Sequence, residues 1–260
     1  MASVPPACTV KFTSFRMVSS PAASATRLLR WETSIATSAL IGAGMQAILE
    51  RISMVGKIRH VLLMAALLCA TASAYSASKT LLVLGDSLSA EYGLARGSGW
   101  VSLLEKRLKS ENLDVRVVNA SISGDTTSGG RTRLPALLEK HKPDVMLLEL
   151  GANDALRGLP VASTEDNLRA MITAAKGIRA RVLVVGMQIP PNYGPDYTRQ
   201  FSGVFNKLAA EQKVPLVPFF LERLVERPDL FQSDRLHPTA DAQPLLLDTV
   251  WPRLQPLLVK

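Results

Sequence analysis

Residues 80–89 read Thr80-Leu81-Leu82-Val83-Leu84-Gly85-Asp86-Ser87-Leu88-Ser89, an apolar run that ends in a glycine, an aspartate and a serine. The run at 80–84 predicts a β-strand that is buried on both faces. A serine at a strand-to-helix turn lies outside both elements with its backbone N–H free, as a nucleophile requires and a core serine does not. Ser87 is therefore the candidate nucleophile, and the competing interpretation is a helix N-cap.

Short β-branched runs alternate with stretches of helical periodicity along the rest of the chain. The predicted strands are residues 80–84, 115–119, 145–150, 182–187 and 214–217. Apolar residues recur at helical spacing within residues 100–108, 134–138, 168–175, 201–208 and 247–254. Strand and helix alternating five times predict an α/β fold, a five-stranded parallel sheet with helices on both faces.

Polar residues gather after the predicted strands. Ser87 follows the first strand, residues 121–125 the second, residues 151–154 the third, and residues 234–237 come after the last. Ligands of open parallel sheets bind at the carboxyl ends of the strands, near the point where the strand order reverses. Four clusters that are distant in sequence are thus expected at one edge of the sheet.

An Asp-x-x-His unit, Asp234 and His237, provides partners for Ser87. Asp234 can accept a hydrogen bond from the imidazole within one loop, which fixes the tautomer and favours the imidazolium that forms when Ser87 loses its proton. His237 is the candidate base and Asp234 the candidate orienting acid. His141, at the predicted end of a helix beside two lysines, is interpreted as structural because a cation there suits the helix dipole.

Three backbone or amide donors are candidates for an oxyanion hole: Ser87, Gly124 and Asn153. Gly124 lets its N–H approach a ligand with no Cβ in the way, and Asn153 offers a side-chain amide. Together with the N–H of Ser87 they predict a three-donor site for a developing oxyanion. An ordinary turn glycine and an Asx-turn are the competing interpretations.

The N-terminal part of the chain has the plan of a secretory signal peptide at residues 54–74. Lys57 and Arg59 precede a short apolar core at 61–69, and Ala72-Ser73-Ala74 offers small residues to a peptidase. The core is too short to span a bilayer comfortably, so we expect cleavage near Ala74, export to the periplasm or exterior, and no stable membrane anchor. An uncleaved signal anchor is the alternative.

Residues 1–53 mix serine, alanine, threonine and isolated arginines without a sustained period. A signal peptide preceded by about 50 residues is not a normal secretory arrangement. Two interpretations stay open: an over-extended start, with Met54 as the initiator, or a transit-type leader. In both, residues 75–260 form the folded domain.

Composition excludes several classes of function. The net charge is +8, but from Tyr75 onward 23 basic residues oppose 20 acidic ones, so most of the excess lies in the leader. Without a run of basic residues interleaved with aromatics in the domain, nucleic-acid binding is not expected. Both cysteines, Cys8 and Cys69, precede the domain, so it has no disulfide, thiolate metal site or cysteine nucleophile.

The four blocks together resemble, in order, those of the SGNH (GDSL) hydrolases. They are Gly85-Asp86-Ser87-Leu88-Ser89, Gly124 within 119–125, Gly151-x-Asn153-Asp154, and Asp234-x-x-His237-Pro238. Four ordered blocks across residues 80–257 are a specific signal where one would be weak. The likeness is greatest to the branch of periplasmic multifunctional thioesterases, arylesterases and lysophospholipases.

This resemblance implies a flavodoxin-like three-layer α/β/α sandwich and hydrolysis of small acyl esters, thioesters or lysophospholipids, with neither metal nor cofactor. We expect the chain to act as a monomer. It assigns Ser87 as nucleophile, His237 as base and Asp234 as orienter, with Ser87, Gly124 and Asn153 as oxyanion donors. The chain departs from the family at Glu91, where a small residue is usual. A carboxylate that close to the site would disfavour anionic leaving groups such as coenzyme A.

Other functions are compatible with parts of this sequence. Pro190, Pro191 and Tyr193 are expected to form an apolar cover over an acyl chain, whereas a carbohydrate O-acetylesterase of the same superfamily would offer more hydrogen-bonding groups and a stacking tryptophan. A phosphorylated cofactor would be repelled by Asp86. A non-catalytic secreted binding module has no need of an intact triad.

Overall fold

The computed structural model describes residues 44–46 and 78–259. By its contacts the chain divides into two units, residues 1–76 and 77–260. In the first unit only the helical residues 44–46 are described. The leader predicted at 1–53, apart from those three residues, and the signal peptide predicted at 54–74 lie outside the described part of the chain.

A five-stranded sheet forms the centre of the second unit. Its strands are β1 (Lys79–Gly85), β2 (Val115–Asn119), β3 (Val145–Glu149), β4 (Arg181–Val185) and β5 (Leu216–Val217). They pair in the order β2-β1-β3-β4-β5, and every pair is parallel. The predicted α/β class is confirmed, and each predicted strand overlaps an observed one.

The last strand is shorter than predicted. The pattern indicated residues 214–217, whereas β5 contains only Leu216–Val217. Pro215 and Pro218 flank it, and a proline has no N–H to donate to a ladder. The apolar pattern continues across Pro215, but regular pairing does not.

Within residues 78–259, six α-helices connect and follow the strands. They are α1 (Trp100–Ser110), α2 (Thr127–His141), α3 (Ala152–Leu156), α4 (Val161–Gly177), α5 (Pro195–Gln212) and α6 (Gln243–Val259). Helix α1 packs against α6, and α4 packs against both α2 and α5, which gives the two helical layers of a three-layer sandwich. Helix α3 was not predicted, because its five residues are too few for a periodic pattern. No helix in the described residues combines the length and apolar character that crossing a bilayer requires.

The core lies on both faces of the sheet. All five residues of β3 are buried, and so are the last six of β1. A fully buried leucine or valine contributes about 1.5–3 kcal/mol by the removal of apolar surface from water. This burial explains why these strands read as nearly continuous apolar runs.

Strand order determines where a ligand can bind. The chain leaves β1 toward β2 on one side and later enters β3 on the other side, so the order reverses between β1 and β3. A crevice forms outside the carboxyl ends of the strands at such a point. Ser87 follows β1 and Asn153 follows β3, so both lie at this crevice.

Candidate active site

The structure brings Ser87, His237 and Asp234 together, although 150 residues separate the serine from the histidine. His237 Nε2 lies 2.8 Å from Ser87 Oγ. On the other side of the ring, His237 Nδ1 lies 2.6 Å from Asp234 Oδ2. With Nδ1 protonated and donating to Asp234, Nε2 is free to accept the hydroxyl proton of Ser87.

The loop around Asp234 keeps this carboxylate charged. Asp234 Oδ1 accepts the backbone N–H groups of His237, at 3.0 Å, and Leu236, at 2.9 Å. These hydrogen bonds lower the pKa of Asp234 to about 2, and the one from the backbone N–H of His237 has the largest effect. Asp234 is therefore ionised through the whole mildly acidic range, and its negative charge favours the imidazolium form of His237.

Two of the candidate oxyanion donors, the backbone N–H groups of Ser87 and Gly124, are not used by the fold. Within the described residues, no protein acceptor binds the N–H of Ser87 or of Gly124. Gly124 has a φ of 77°, a conformation that favours glycine. Because these two N–H groups are unused by the fold, they are available to bind an oxygen that develops negative charge.

The third candidate donor, the side-chain amide of Asn153, is hydrogen-bonded to Asp86, whose role the sequence did not predict. Asn153 Nδ2 donates to Asp86 Oδ2 at 3.1 Å. The amide nitrogen carries two hydrogens, so one is anchored and the other is left for a ligand. Asp86 is itself fixed, because its Oδ1 accepts the N–H of Leu88 at 3.1 Å.

Arg157 joins the two loops that carry Gly124 and Asn153. Its Nη2 donates to the Gly124 carbonyl at 2.9 Å, and its backbone N–H donates to the Asn153 carbonyl at 3.3 Å. Asp154, the next residue of this block, is buried and accepts the N–H of Thr127 at the start of α2. The loops after β2 and β3 are thus tied to each other at two points.

A second carboxyl, that of Glu149, contacts the loop that carries Ser87. Glu149 Oε2 accepts the N–H of Asp86 at 3.3 Å and the hydroxyl of Ser89 at 2.8 Å. Burial raises the pKa of Asp86 to about 6, and burial together with the charge of Asp86 raises the pKa of Glu149 well above its usual value. Burial therefore disfavours charge on both carboxyls, and the Asp86 carboxyl is the one that orients Asn153.

A cavity of about 440 Å³ opens beside Ser87 and His237. Ser87, Asn153 and His237 form one end of its lining. The remaining wall is mostly apolar and includes Leu156, Met187, Ile189, Pro190, Phe219, Leu221, Val225 and Phe231. A lining of this kind with a few polar groups at one end suits an acyl chain attached to a reactive carbonyl.

The predicted cover residues fall in different places. Pro190 lines the cavity, whereas Pro191 and Tyr193 are not among its lining residues and form the adjoining 3₁₀ turn Pro191–Tyr193. The Tyr193 hydroxyl donates to the carbonyl of Leu156 at 3.3 Å, and Leu156 does line the cavity. Tyr193 therefore contacts the wall from outside.

Glu91, the departure from the family pattern, is used within its own loop. Its carboxylate accepts the N–H of Gly97, at 3.0 Å, the N–H of Gly99, at 2.9 Å, and the hydroxyl of Ser102, at 2.9 Å. Partial burial alone would raise the pKa of Glu91, but these donors outweigh it and lower the pKa. Glu91 does not line the cavity. Its carboxylate orders residues 92–99 and is not placed to contact a leaving group in the cavity.

His141 lies in the last turn of α2 and does not line the cavity. In the described residues no group of three or more histidine, cysteine, aspartate or glutamate side chains is placed to hold a metal ion. Sequence reasoning missed the roles of Asp86 and Glu149. The available signal was Glu149 itself, the one charged residue in the apolar run at 145–150.

The position of Asn153 leads to a prediction. Asn153→Ala is expected to lower kcat by roughly 10²- to 10³-fold, or about 3–4 kcal/mol, with little change in KM, because the lost donor binds the tetrahedral intermediate better than the ground-state carbonyl. Steady-state kinetics and a thermal melt of the variant measure this. Asn167→Ala is the matched control, since Asn167 also uses its amide but at Thr127 in α2.

A different outcome would reassign the residue. If Asn153→Ala unfolds at a lower temperature while its folded fraction keeps the full kcat, Asn153 serves only to hold Asp86 and its turn. The oxyanion would then be bound by the N–H groups of Ser87 and Gly124.

Comparison with known proteins identifies the same blocks. Residues 83–244 match the family described as GDSL-like lipase/acylhydrolase. The chain is 50% identical over 200 residues to esterase TesA of Pseudomonas aeruginosa, covering 77% of this chain and all of that protein. It is 45% identical over 183 residues to thioesterase 1/protease 1/lysophospholipase L1 of Escherichia coli strain K12, covering 70% of this chain and 86% of that protein.

A solved structure has the same fold as this chain. The crystal structure of a protein named TesA superposes with a TM-score of 0.68 and 53% sequence identity, covering 69% of this chain and all of that chain. The expected fold and family resemblance are therefore confirmed.

Proposed function

Because the chain belongs to the GDSL-like lipase/acylhydrolase family, we propose that Ser87, His237 and Asp234 are the catalytic triad of a serine esterase. The observation that carries the proposal is the 2.8 Å approach of His237 Nε2 to Ser87 Oγ. It is accompanied by two N–H groups that the fold leaves unused, those of Ser87 and Gly124, and by the apolar cavity that Ser87 lines. A binding module has no need of this arrangement.

The reaction follows from these positions. Ser87 Oγ bonds to the acyl carbon while its proton moves to His237 Nε2, and the carbonyl oxygen takes up the electron pair as an oxyanion. Ser87 N–H, Gly124 N–H and the Asn153 amide stabilise that charge. The bond to the leaving group then breaks, and the alcohol or thiol departs with the proton from His237.

Deacylation repeats the sequence with water. His237 Nε2 removes a proton from water, which attacks the acyl carbon of the ester on Ser87. Collapse of the second intermediate releases the carboxylic acid and returns the proton to Ser87 Oγ. Asp234 stays ionised throughout and balances the positive charge that His237 carries in both intermediates.

The proposed substrates are small acyl esters, thioesters and lysophospholipids, all of which carry an acyl chain next to the scissile carbonyl. The apolar lining of the cavity supports a chain of methylene groups next to the scissile carbonyl. A carbohydrate O-acetylesterase would need stacking and hydrogen-bonding groups for a sugar. Among the described residues, however, both tryptophans, Trp100 and Trp251, are buried in the core and away from the cavity lining.

A fluorophosphonate probe and a substrate panel test the proposal. Only an activated serine reacts with the probe, and peptide mapping should place the label on Ser87. p-Nitrophenyl esters and acyl thioesters of graded chain length should show kcat/KM rising as the acyl chain fills the cavity. A label elsewhere, or hydrolysis limited to acetylated sugars, contradicts the proposal.

Export is the proposed location of action, supported by the signal-peptide pattern at residues 54–74. When the chain is expressed in a bacterium from Met54, the mature protein in the periplasm or medium is expected to begin at Tyr75. Intact mass and N-terminal sequencing measure this. A product that keeps residues 54–74 and sediments with membranes would indicate an uncleaved anchor instead.

A monomer is the proposed working form. Every group assigned to the reaction comes from one chain, and the cavity needs no second copy to complete its lining. Light scattering of the active enzyme at assay concentration tests this assignment.

A further inference from the structure

Backbone pairing joins the two ends of the loop that carries His237. Phe231 and Pro238 form an isolated antiparallel bridge. The N–H of Gln232 donates to the carbonyl of His237 at 2.8 Å. These bonds define the loop but do not attach it to the loop that carries Ser87.

The side chain of Gln232 makes that attachment. Its Nε2 donates to the carbonyl of Tyr92, at 2.9 Å, and to the carbonyl of Pro238, at 3.0 Å. Both amide hydrogens are therefore used, one toward the nucleophile loop and one toward the histidine loop. Gly93 allows the approach, because a Cβ there would lie 2.1 Å from Gln232 Oε1.

Tyr92, whose carbonyl Gln232 holds, packs its ring on the imidazole. The ring centroids of Tyr92 and His237 are 4.3 Å apart and the planes are inclined by 39°. Asp234 fixes Nδ1 and Ser87 lies at Nε2, but neither bond prevents the ring from tilting about the line that joins them. The Tyr92 ring blocks this tilting on one face of the imidazole.

We propose that Tyr92 and Gln232 form an imidazole clamp, a pair of positioning residues that holds His237 in line with Ser87. This proposal rests on the proposed function. Gln232 positions the Tyr92 backbone, and the Tyr92 ring limits tilting of the imidazole. An aromatic face attracts a cationic imidazolium more strongly than it attracts a neutral imidazole. The clamp therefore also favours the imidazolium of the transition state.

Gln232→Ala tests the attachment between the loops. The expected result is a kcat lowered roughly tenfold to a hundredfold with KM nearly unchanged, because a displaced base costs rate and not ground-state binding. Gln232→Glu keeps the shape but loses both donors, so it should lose a similar factor. Gln255→Ala is the matched control, since Gln255 is also half-buried and makes one surface hydrogen bond, to Glu111.

Tyr92→Ala and Tyr92→Phe test the ring. Within the described residues the Tyr92 hydroxyl has no hydrogen-bond partner, so Tyr92→Phe keeps the proposed contact and should retain most of kcat. Tyr92→Ala should lower kcat. It should also move the acid limb of the kcat/KM profile to lower pH, because removal of the aromatic face makes the imidazolium less favourable.

The charged groups that face His237 stay in place in these variants. They are Asp234 on its own loop and Asp86 after β1, while Arg235 lies beside it on the cavity wall. The low-field proton resonance of the Nδ1–H in the Asp234 bond gives an independent readout. It should broaden or shift in Gln232→Ala and Tyr92→Ala, and remain in Tyr92→Phe.

Wild-type kcat, pH profile and proton resonance in both alanine variants would overturn the clamp. A lowered melting temperature with full kcat in the folded fraction would overturn it as well, because Tyr92 and Gln232 would then only stabilise their loops. Neither result touches the proposed function, which depends on labelling of Ser87. Loss of labelling in the wild type would instead remove the function and the clamp together.

Discussion

Ser87→Ala is expected to lower kcat/KM for an acyl ester by roughly 10⁴- to 10⁶-fold. The hydroxyl is the atom that bonds to the acyl carbon, and no other described nucleophile lies at His237 Nε2. Residual turnover would come from the oxyanion donors acting on water. Initial rates with a p-nitrophenyl ester, together with loss of fluorophosphonate labelling, measure the effect.

Folding should be preserved in this variant. The Ser87 side chain lies at the cavity, and its one side-chain hydrogen bond is to His237, so its removal costs little packing. Ser202→Ala is a suitable control, because Ser202 Oγ donates to a surface carbonyl within α5. A stable Ser87→Ala protein with near-wild-type activity would show that another residue is the nucleophile.

The placement of Ser87 directly after β1 was predictable because local sequence determines it. Residues 80–84 are too uniformly apolar for anything but a buried element, and the glycine, aspartate and serine that follow begin a turn. Parallel order then puts the loops after β1, β2 and β3 at one edge. Strand existence and the gathering of the first three polar blocks follow from these two facts. Residues 234–237 are separated from β5 by two 3₁₀ turns, so strand order alone does not place them.

The supporting contacts were not predictable, since they join residues far apart in the chain. The bond between Asn153 and Asp86 spans 67 positions, and that between Gln232 and Tyr92 spans 140. No periodicity or composition reports such pairs. Glu149 left a local trace, as a charge in a buried strand, but its partner Ser89 left none.

The substrate wall shows the same limit. Pro190 and Tyr193 lie three residues apart, yet only Pro190 reaches the cavity, because the 3₁₀ turn Pro191–Tyr193 directs the tyrosine to the carbonyl of Leu156. A sequence can place this segment after β4 at the correct edge. It does not show which side chains of a tight turn line the cavity.

His237→Ala is expected to reduce kcat/KM almost as much as Ser87→Ala, because the base and the nucleophile act as one unit. Without His237, no described group accepts the proton of Ser87 Oγ, and the hydroxyl remains a weak nucleophile. His141→Ala is the matched control, since His141 ends α2 away from the cavity and should leave the rate near that of the wild type.

The double variant distinguishes a triad from two independent contributions. If Ser87 and His237 act together, Ser87→Ala combined with His237→Ala should be no slower than either single variant, because the second change removes nothing that still operates. Multiplied losses in the double variant would mean that His237 acts on the substrate separately from Ser87. A normal rate in His237→Ala beside a large loss in His141→Ala would assign the base to the other histidine, and the 2.8 Å contact between His237 Nε2 and Ser87 Oγ would then be structural.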